Sequence, residues 1–513
     1  MRKKVRVEDL LSNIQVLAIR GPMEGEVSSI TYDSRKCTDG CLFCAIPGTE
    51  QDGHEFIPDA VSRGSKFILC EKEVEVPPGV TTIWVRDVRE TMGKLAKRFY
   101  GDPSSRLCLV GVTGTNGKTT LSYLLESIFQ QAGFKTGVLG TVNYRYGGEI
   151  LPAPNTTPES LDMHRILHEM VLMGVTHCVA EVSSHALALK RVDECDFDLG
   201  IFTNLSRDHL DFHRDMEDYF AAKRRLFSQI LPRSQKGREI RMVLNGDDPW
   251  GKRLWEEETL PGWTYGKGGF NHVQVVDLSL SLRGLRAEVY APGVTLSLFS
   301  PLLGMFNLYN ILAAVAAALA LQIAPKDIVE GIARVDRIPG RLERVSGPHE
   351  PHVFVDYAHT DDALAKVITA ILPFRRRNLI TVFGCGGDRD PGKRPRMGQV
   401  ASESSDVVII TSDNPRTEDP LSIIRQIEKG IPTDVMKKVD PSELENQNKV
   451  YTVIPDRREA IKRAIDIAKE GDIVLIAGKG HEDYQIIGRK KVWFDDRVVA
   501  KEFLAAKTGG GIG

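Results

Sequence analysis

The chain has 513 residues, enough for about three domains at the usual ~100–200 residues each. Its 67 Lys and Arg nearly balance 69 Asp and Glu, and the formal charge of -2 gives no global basic field for nucleic acid or anionic lipid. The longest apolar run, Ile311 to Leu321, is too short to span a bilayer, and the start MRKKVRVEDLLSNIQ meets Glu8 and Asp9 before any apolar stretch, unlike a secretory leader.

A cytoplasmic protein without nucleic-acid or membrane partners is therefore expected, with its eight cysteines as reduced thiols. The first hundred residues mix short strands and turns, and they end at the turn-forming Tyr100-Gly101-Asp102-Pro103-Ser104-Ser105. Within them Cys37, Cys41 and Cys44 have a C-x3-C-x2-C spacing that could suit an iron–sulfur cluster. Against this, Leu42-Phe43-Cys44-Ala45-Ile46 reads as a buried strand in which cysteine is a small apolar residue.

Next comes the apolar strand Leu107 to Val110, then VTGTNGKTT at 112–120, then a helical stretch from Leu121 to Gln131. A strand feeding a glycine-rich turn that opens a helix aims backbone N–H groups at one point, which suits a polyphosphate. Lys118 would reach the outer phosphates and Thr119 could hold Mg²⁺, although Val112 stands where the common phosphate-loop rule has its first glycine. Candidate strands follow at Thr136–Val142, His177–Val182, Leu199–Thr203 and Met242–Leu244, alternating with helical segments, as in a parallel sheet covered by helices. The last helix of this unit starts near Asn307, and Pro339-Gly340 marks a second break.

A second doubly wound sheet is expected beyond that break, from Val353–Val355, Leu379–Phe383, Val407–Thr411 and Ile473–Ala477. Each strand end carries polar residues: Asp356, Tyr357 and His359; Gly386, Asp388 and Arg389; Asp413, Asn414 and Arg416; Lys479, His481 and Glu482. Open α/β sheets bind ligands at that edge. In the middle unit Glu181, Ser183, Ser184 and His185 follow one strand, and Asn204, Arg207, Asp208 and His209 the next. The two edges are expected to face one another, with Thr119, Glu181 and His209 offering a hydroxyl, a carboxylate and an imidazole to Mg²⁺ beside phosphate. The glycine-rich tail from Gly509 to Gly513 is expected to lack order.

The motifs GTNGKTT, EVSSHAL, TNLSRDHLDFH, YFAAKRRLF, NGDD, GMFNLYN, PGRLE, VDYAHT and FGCGGDRD occur in this order, and together they resemble the Mur ligases of peptidoglycan synthesis. DNPR at 413–416 and GKGHEDYQ at 478–485 look more like the branch that adds meso-diaminopimelate. The resemblance implies an α/β protein of three domains: a mixed N-terminal UDP-binding domain (1–105), a central ATPase with a phosphate-loop parallel sheet (106–337) and a C-terminal Rossmann-like domain for the amino acid (338–513). It implies an ATP- and Mg²⁺-dependent monomer that joins diaminopimelate to UDP-N-acetylmuramoyl-L-alanyl-D-glutamate through an acyl phosphate.

By motif position, the resemblance assigns Gly114, Thr115, Asn116, Gly117, Lys118, Thr119, Thr120, Asn307, Arg341 and Asp356 to ATP. It assigns Thr119, Glu181, His209 and Lys223 to metal, with Lys118, His209 and Lys223 in catalysis and Lys223 as the lysine that such ligases carbamylate. Ser34, Asn155, Thr156, Thr157, Ser183 and Arg191 fall to the UDP-muramoyl dipeptide, with Leu189 where many relatives carry glutamine. Arg389, Asp413, Asn414, Pro415, Arg416, Gly478 and Glu482 fall to diaminopimelate. A lysine-adding Mur ligase and a folylpolyglutamate synthetase-like ligase are the alternatives; the N-terminal Asp33-Ser34-Arg35 and the Asn155-Thr156-Thr157 run argue against the latter.

Overall fold

The structure is a computed structural model and describes residues 4–48, 51–347 and 350–509. Runs of branched apolar residues become fully buried strands, and polar punctuation ends them. Leu379–Phe383 and Ile473–Ala477 have the limits read from sequence, while 353–355 lengthens to His352–Asp356. Thr136–Val142 shortens to Thr136–Leu139, because the chain leaves the sheet at Gly140 beside Glu181. Residues 510–513 of the glycine-rich tail lie outside the described residues, whereas Gly509 ends the helix Asp496–Gly509.

Three α/β domains follow one another. The N-terminal sheet has the order Ala18–Arg20, Thr81–Trp84, Ser65–Cys70, Cys41–Cys44, Ser29–Thr31, parallel except at the first pair. The cysteine-rich stretch is thus a buried strand. Its alternation sends Cys44 into the cluster of Leu42 and Phe67, and Cys41 into the opposite cluster with Cys37 and Phe43. The three sulfurs therefore do not converge on one cluster site.

In the central sheet the parallel strands Thr136–Leu139, His177–Glu181, Cys108–Thr113, Leu199–Phe202, Met242–Asn245 and Gly262–Gly266 lie side by side. A correction to the purely parallel expectation lies at both edges. A hairpin, Asn143–Tyr146 with Glu149–Pro152, extends one side, and an antiparallel meander of Val273–Ser281, Gly284–Ala291 and Val294–Ser300 extends the other. Helices Lys118–Gln131 and Met305–Ala320 fill one face around Leu124, Ile128 and Leu312, and Ser160–Leu172 packs on the other through Met163 and Leu167. Among the described residues no helix is long and apolar enough to cross a membrane.

The C-terminal sheet runs His352–Asp356, Ile473–Ala477, Leu379–Phe383, Val407–Ile410, Val450–Val453, all parallel, with Glu343–Arg344 antiparallel at one edge. Its carboxyl edge meets that of the central sheet. Arg341 donates to Thr119 Oγ1 at 3.3 Å, Asn116 to Asp362 at 3.4 Å, and Arg207 lies 3.6 Å from Asp390. The N-terminal domain holds the central one through Lys190 with Asp87 and Glu90, Lys97 with Asp196, and the Tyr32 hydroxyl on Asp162.

Candidate active site

Two glycines let the phosphate loop sit where it does. At Gly114 (φ +142°) a Cβ would lie 1.9 Å from Thr203 Oγ1, and at Gly117 (φ +91°) 2.4 Å from Asn310 Oδ1. Thr203 donates to the Asn116 carbonyl at 2.6 Å, Thr115 Oγ1 accepts the Ser206 N–H, and Asn116 N–H donates to Asn204 Oδ1. The loop is thus fixed by the TNLS run at 203–206 before any ligand arrives. Thr120 is buried in the first turn of the helix.

Lys118 Nζ donates to the Gly114 and Thr115 carbonyls at 2.8 and 2.9 Å. Desolvation lowers its pKa, and Arg341 adds to the fall while Glu181 opposes it. Lys223, in the helix Met216–Arg225, is only 1% exposed. It reaches the same Gly114 carbonyl at 2.9 Å and lies over the Tyr219 ring. Burial, reinforced by Lys118 and opposed by Asp208, lowers its pKa well below that of ordinary lysine.

Glu181, 1% exposed, accepts from Thr119 Oγ1 at 3.0 Å and from Thr141 Oγ1 at 2.8 Å. Of the expected metal contacts the structure brings these two together. His209 does not join them: with φ +55° it turns to Asp208 (3.5 Å) and edge-on to His185, and desolvation lowers its pKa. Among the described residues no group of three or more His, Cys, Asp or Glu side chains is placed to hold a metal. Thr141 was missed in the sequence, although a threonine just past a strand end is a fair signal.

On the facing edge Arg341 stacks on Tyr357, and its buried Nε has no hydrogen-bond partner. Asn307 donates to the Leu303 carbonyl and accepts from Asn310. Asp356 accepts the Leu342 and Ala358 N–H groups at 2.6 and 2.7 Å, so part of its acceptor capacity is already spent. Burial raises its pKa to about 6.

Among the dipeptide candidates, Thr157 and Ser183 bond to each other's segment, and Ser183 caps the helix Ser184–Ala188. Arg191 pairs with Glu159 at 2.8 Å and donates to the Thr157 carbonyl. Thr156 meets Thr141, Asn155 is exposed, and Ser34 is the buried first residue of the otherwise exposed turn Ser34–Lys36 in the N-terminal domain. Leu189 ends the helix Ser184–Ala188.

Arg416, at φ +52°, donates to the Gly387 carbonyl at 2.6 Å, and Pro415 before it is buried. Asn414 Nδ2 bonds Glu482 at 2.9 Å, and at Gly478 a Cβ would meet Asp413 at 2.5 Å. Arg389 is exposed. Lys479, noted only as a strand-end residue, is fully buried and bonds Asn414 Oδ1 and Glu482 Oε2. Glu482 thus meets an internal ammonium before any substrate, though burial still raises its pKa.

The sequence matches three family models in chain order: the Mur ligase family catalytic domain at 26–100, the Mur ligase middle domain at 112–318 and the Mur ligase glutamate ligase domain at 340–480. The UDP-N-acetylmuramoyl-L-alanyl-D-glutamate–2,6-diaminopimelate ligase of Geobacter metallireducens is 46% identical over 96% of this chain and 97% of its own. That of Geobacillus kaustophilus is 43% identical over 96% and 98%. A solved structure of a ligase of the same name superposes with a TM-score of 0.68 at 33% identity, covering 99% of this chain and all of the other. A Mycobacterium tuberculosis folylpolyglutamate synthase with ADP and AMPPCP shares the fold at 18% identity and a TM-score of 0.62, over 82% of this chain and 95% of its own. With three domain matches in order and relatives above 40% identity along nearly the whole length, the chain belongs to the Mur ligase family.

Proposed function

We propose that this Mur ligase joins diaminopimelate to the D-glutamyl side-chain carboxylate of UDP-N-acetylmuramoyl-L-alanyl-D-glutamate while ATP becomes ADP and phosphate, a step of peptidoglycan precursor synthesis. The observation that carries it is the meeting of two edges: a phosphate loop with Lys118 and Lys223 on one carbonyl, and Arg341 reaching Thr119 from the sheet that also bears Arg416 and Glu482. The proposed division of labour follows the stretches 1–105, 106–337 and 338–513.

A carboxylate is a poor electrophile. Moving the γ-phosphate onto it makes an acyl phosphate, which the amine attacks with phosphate as leaving group. Lys118 offsets charge on the transferring phosphoryl group, and Arg341, which reaches Thr119 from the facing sheet, binds the nucleotide from the other side. Asn307 and Asp356 complete the nucleotide contacts, and Ser34, Arg191 and the Asn155–Thr157 segment hold the muramoyl dipeptide. The Thr119 hydroxyl and Glu181 carboxylate fit a hard divalent ion that takes its remaining oxygens from phosphate and water. When bound, Mg²⁺ would neutralise phosphate charge.

Lys223 is proposed to carry a carbamate. Carbon dioxide adds to the neutral form of an amine, burial lowers the Lys223 pKa toward that form, and the carbamate carries a negative charge. The proposed enzyme is a monomer in the cytoplasm, where nucleotide substrates are available. Phosphate release from ATP should require both the UDP-dipeptide and an amino acid, and mass spectrometry with mixed diaminopimelate and lysine should find the diaminopimelate product. Release that needs neither substrate, or a lysine product in excess, would overturn this reading.

A further inference from the structure

Cys37 follows the turn Ser34–Lys36, donating its N–H to the Ser34 carbonyl at 3.1 Å. Cys41 begins the next strand and donates to the Thr38 carbonyl at 3.0 Å. The tight reversal between them brings the two sulfurs to 3.8 Å, with Cys37 7% and Cys41 0% exposed. Cys44 lies on the opposite face of its strand, and Cys70 Sγ faces the Ile83 carbonyl, so neither competes for this contact. None of the ligase chemistry uses this pair.

We propose that Cys37 and Cys41 are a reversible dithiol–disulfide couple driven by a peroxide, and that closing it shifts the Ser34–Lys36 turn and weakens binding of a uridine diphosphate. The second half rests on the assignment of Ser34 to the UDP group. A disulfide needs its sulfurs at ~2.05 Å, so the present separation must shrink, and the bond ties Cys37, the residue that terminates the turn, to the strand. Sharing one proton favours a single thiolate in the pair: the bond from Cys37 pulls Cys41 down to about 7, while Cys37 is raised.

The Cys41 thiolate attacks one peroxide oxygen and the O–O bond breaks. The departing hydroxide takes a proton to become water and leaves a sulfenic acid. Cys37 sulfur then attacks Cys41 sulfur and displaces hydroxide, which leaves with the Cys37 proton as a second water. Two thiols and one peroxide thus give one disulfide and two waters.

The full chain should be treated with hydrogen peroxide, alkylated under denaturing conditions and weighed, with uridine diphosphate affinity measured by calorimetry before and after. The expected result is loss of two hydrogen atoms and of two of the eight alkylatable thiols, both in the 37–63 tryptic peptide with Cys44 still alkylated. Affinity for uridine diphosphate should fall about tenfold, a usual coupling between sites, and return with dithiothreitol. Cys37→Ser and Cys41→Ser should each block the mass change and bind like untreated protein. Persistence of both thiols, a bridge that includes Cys44, or oxidised protein that binds as tightly as reduced protein overturns the proposal. Reduced protein without any affinity for uridine diphosphate overturns instead the assignment of the N-terminal domain, while the mass measurement still decides the couple.

Discussion

At the carboxyl edge of the central sheet, Lys118 and Lys223 donate only to backbone carbonyls, and among the described residues neither has a carboxylate within ion-pair distance. At the matching edge of the C-terminal sheet, buried cations come with partners: Lys479 with Glu482 at 2.9 Å, Arg457 with Asp496 at 2.7 Å, Arg394 with Glu418 at 2.8 Å. An uncompensated buried cation costs stability and is relieved by an anion; a paired one is a frame that holds neighbouring groups in place. The first edge therefore suits a polyphosphate common to many reactions. The second suits selection, in which a small difference between amino acids must be read against fixed charges.

The largest effect should come from the unpaired edge. Lys118→Ala should lower kcat for phosphate release about a hundredfold to a thousandfold, the usual consequence of removing a preorganised charge stabiliser. Its melting temperature should change little, because no ion pair is lost and only the two carbonyl contacts are given up. Lys223→Met should be as inactive and more stable by about 1–3 kcal/mol in denaturant titration, since an apolar side chain replaces a desolvated amine. The smaller Lys223→Ala should regain part of its activity with short-chain carboxylic acids, which supply the missing anion. Full activity of the alanine variant would sink the carbamate.

At the paired edge the effect should be selective. Diaminopimelate differs from lysine by a distal carboxylate, which a guanidinium can hold through two parallel bonds. Arg416→Ala should raise the Michaelis constant for diaminopimelate roughly a hundredfold and leave that for ATP unchanged. Equal use of diaminopimelate by variant and parent would break the comparison at its second half. On the same edge stands Asp356, raised to about 6 by burial. Above that pH it is a carboxylate able to accept from a nucleotide hydroxyl; below it the Michaelis constant for ATP should rise, by up to about tenfold per pH unit. Asp356→Asn should flatten that dependence. The linked stability term has the opposite sense, since the folded chain holds the proton more tightly: it is full below about 3.8 and lost as pH rises through about 6.

The strands flanking the cleft were legible in the sequence because each is buried on both faces and so reads as an unbroken apolar run, as at Leu379–Phe383. The meander from Val273 to Ser300 was not, since its strands alternate buried and exposed residues, as in Gly284–Ala291, where Arg286 and Tyr290 are exposed while Ala287, Val289 and Ala291 are buried. Within the proposed site, motif positions named candidates but not their company. That Lys223 is buried depends on how the helix Met216–Arg225 packs beneath Gly114, and the Lys479–Glu482 pair depends on the positive φ of Gly478 and Gly480. Neither is a property of local pattern.

The smallest effect should come from the polar contacts that join the two edges. Arg207 and Asp390 lie 3.6 Å apart with side chains 42% and 27% exposed, so water and salt screen most of their attraction, and the pair is worth about 0–1 kcal/mol. Arg207→Ala should change the Michaelis constants by no more than about fivefold, an effect that shrinks as salt rises. Closure would then be set by the ligand that touches both sheets, through its higher affinity for the closed form, and only slightly by the protein's own surface pairs. Small-angle scattering offers the sharper check: Arg207→Ala and the parent should compact equally when an ATP analogue and the UDP-dipeptide are added. If the variant stays extended with saturating ligands, the surface pair carries the closure, and the contrast between an edge waiting for its ligand and an edge already paired is drawn in the wrong place.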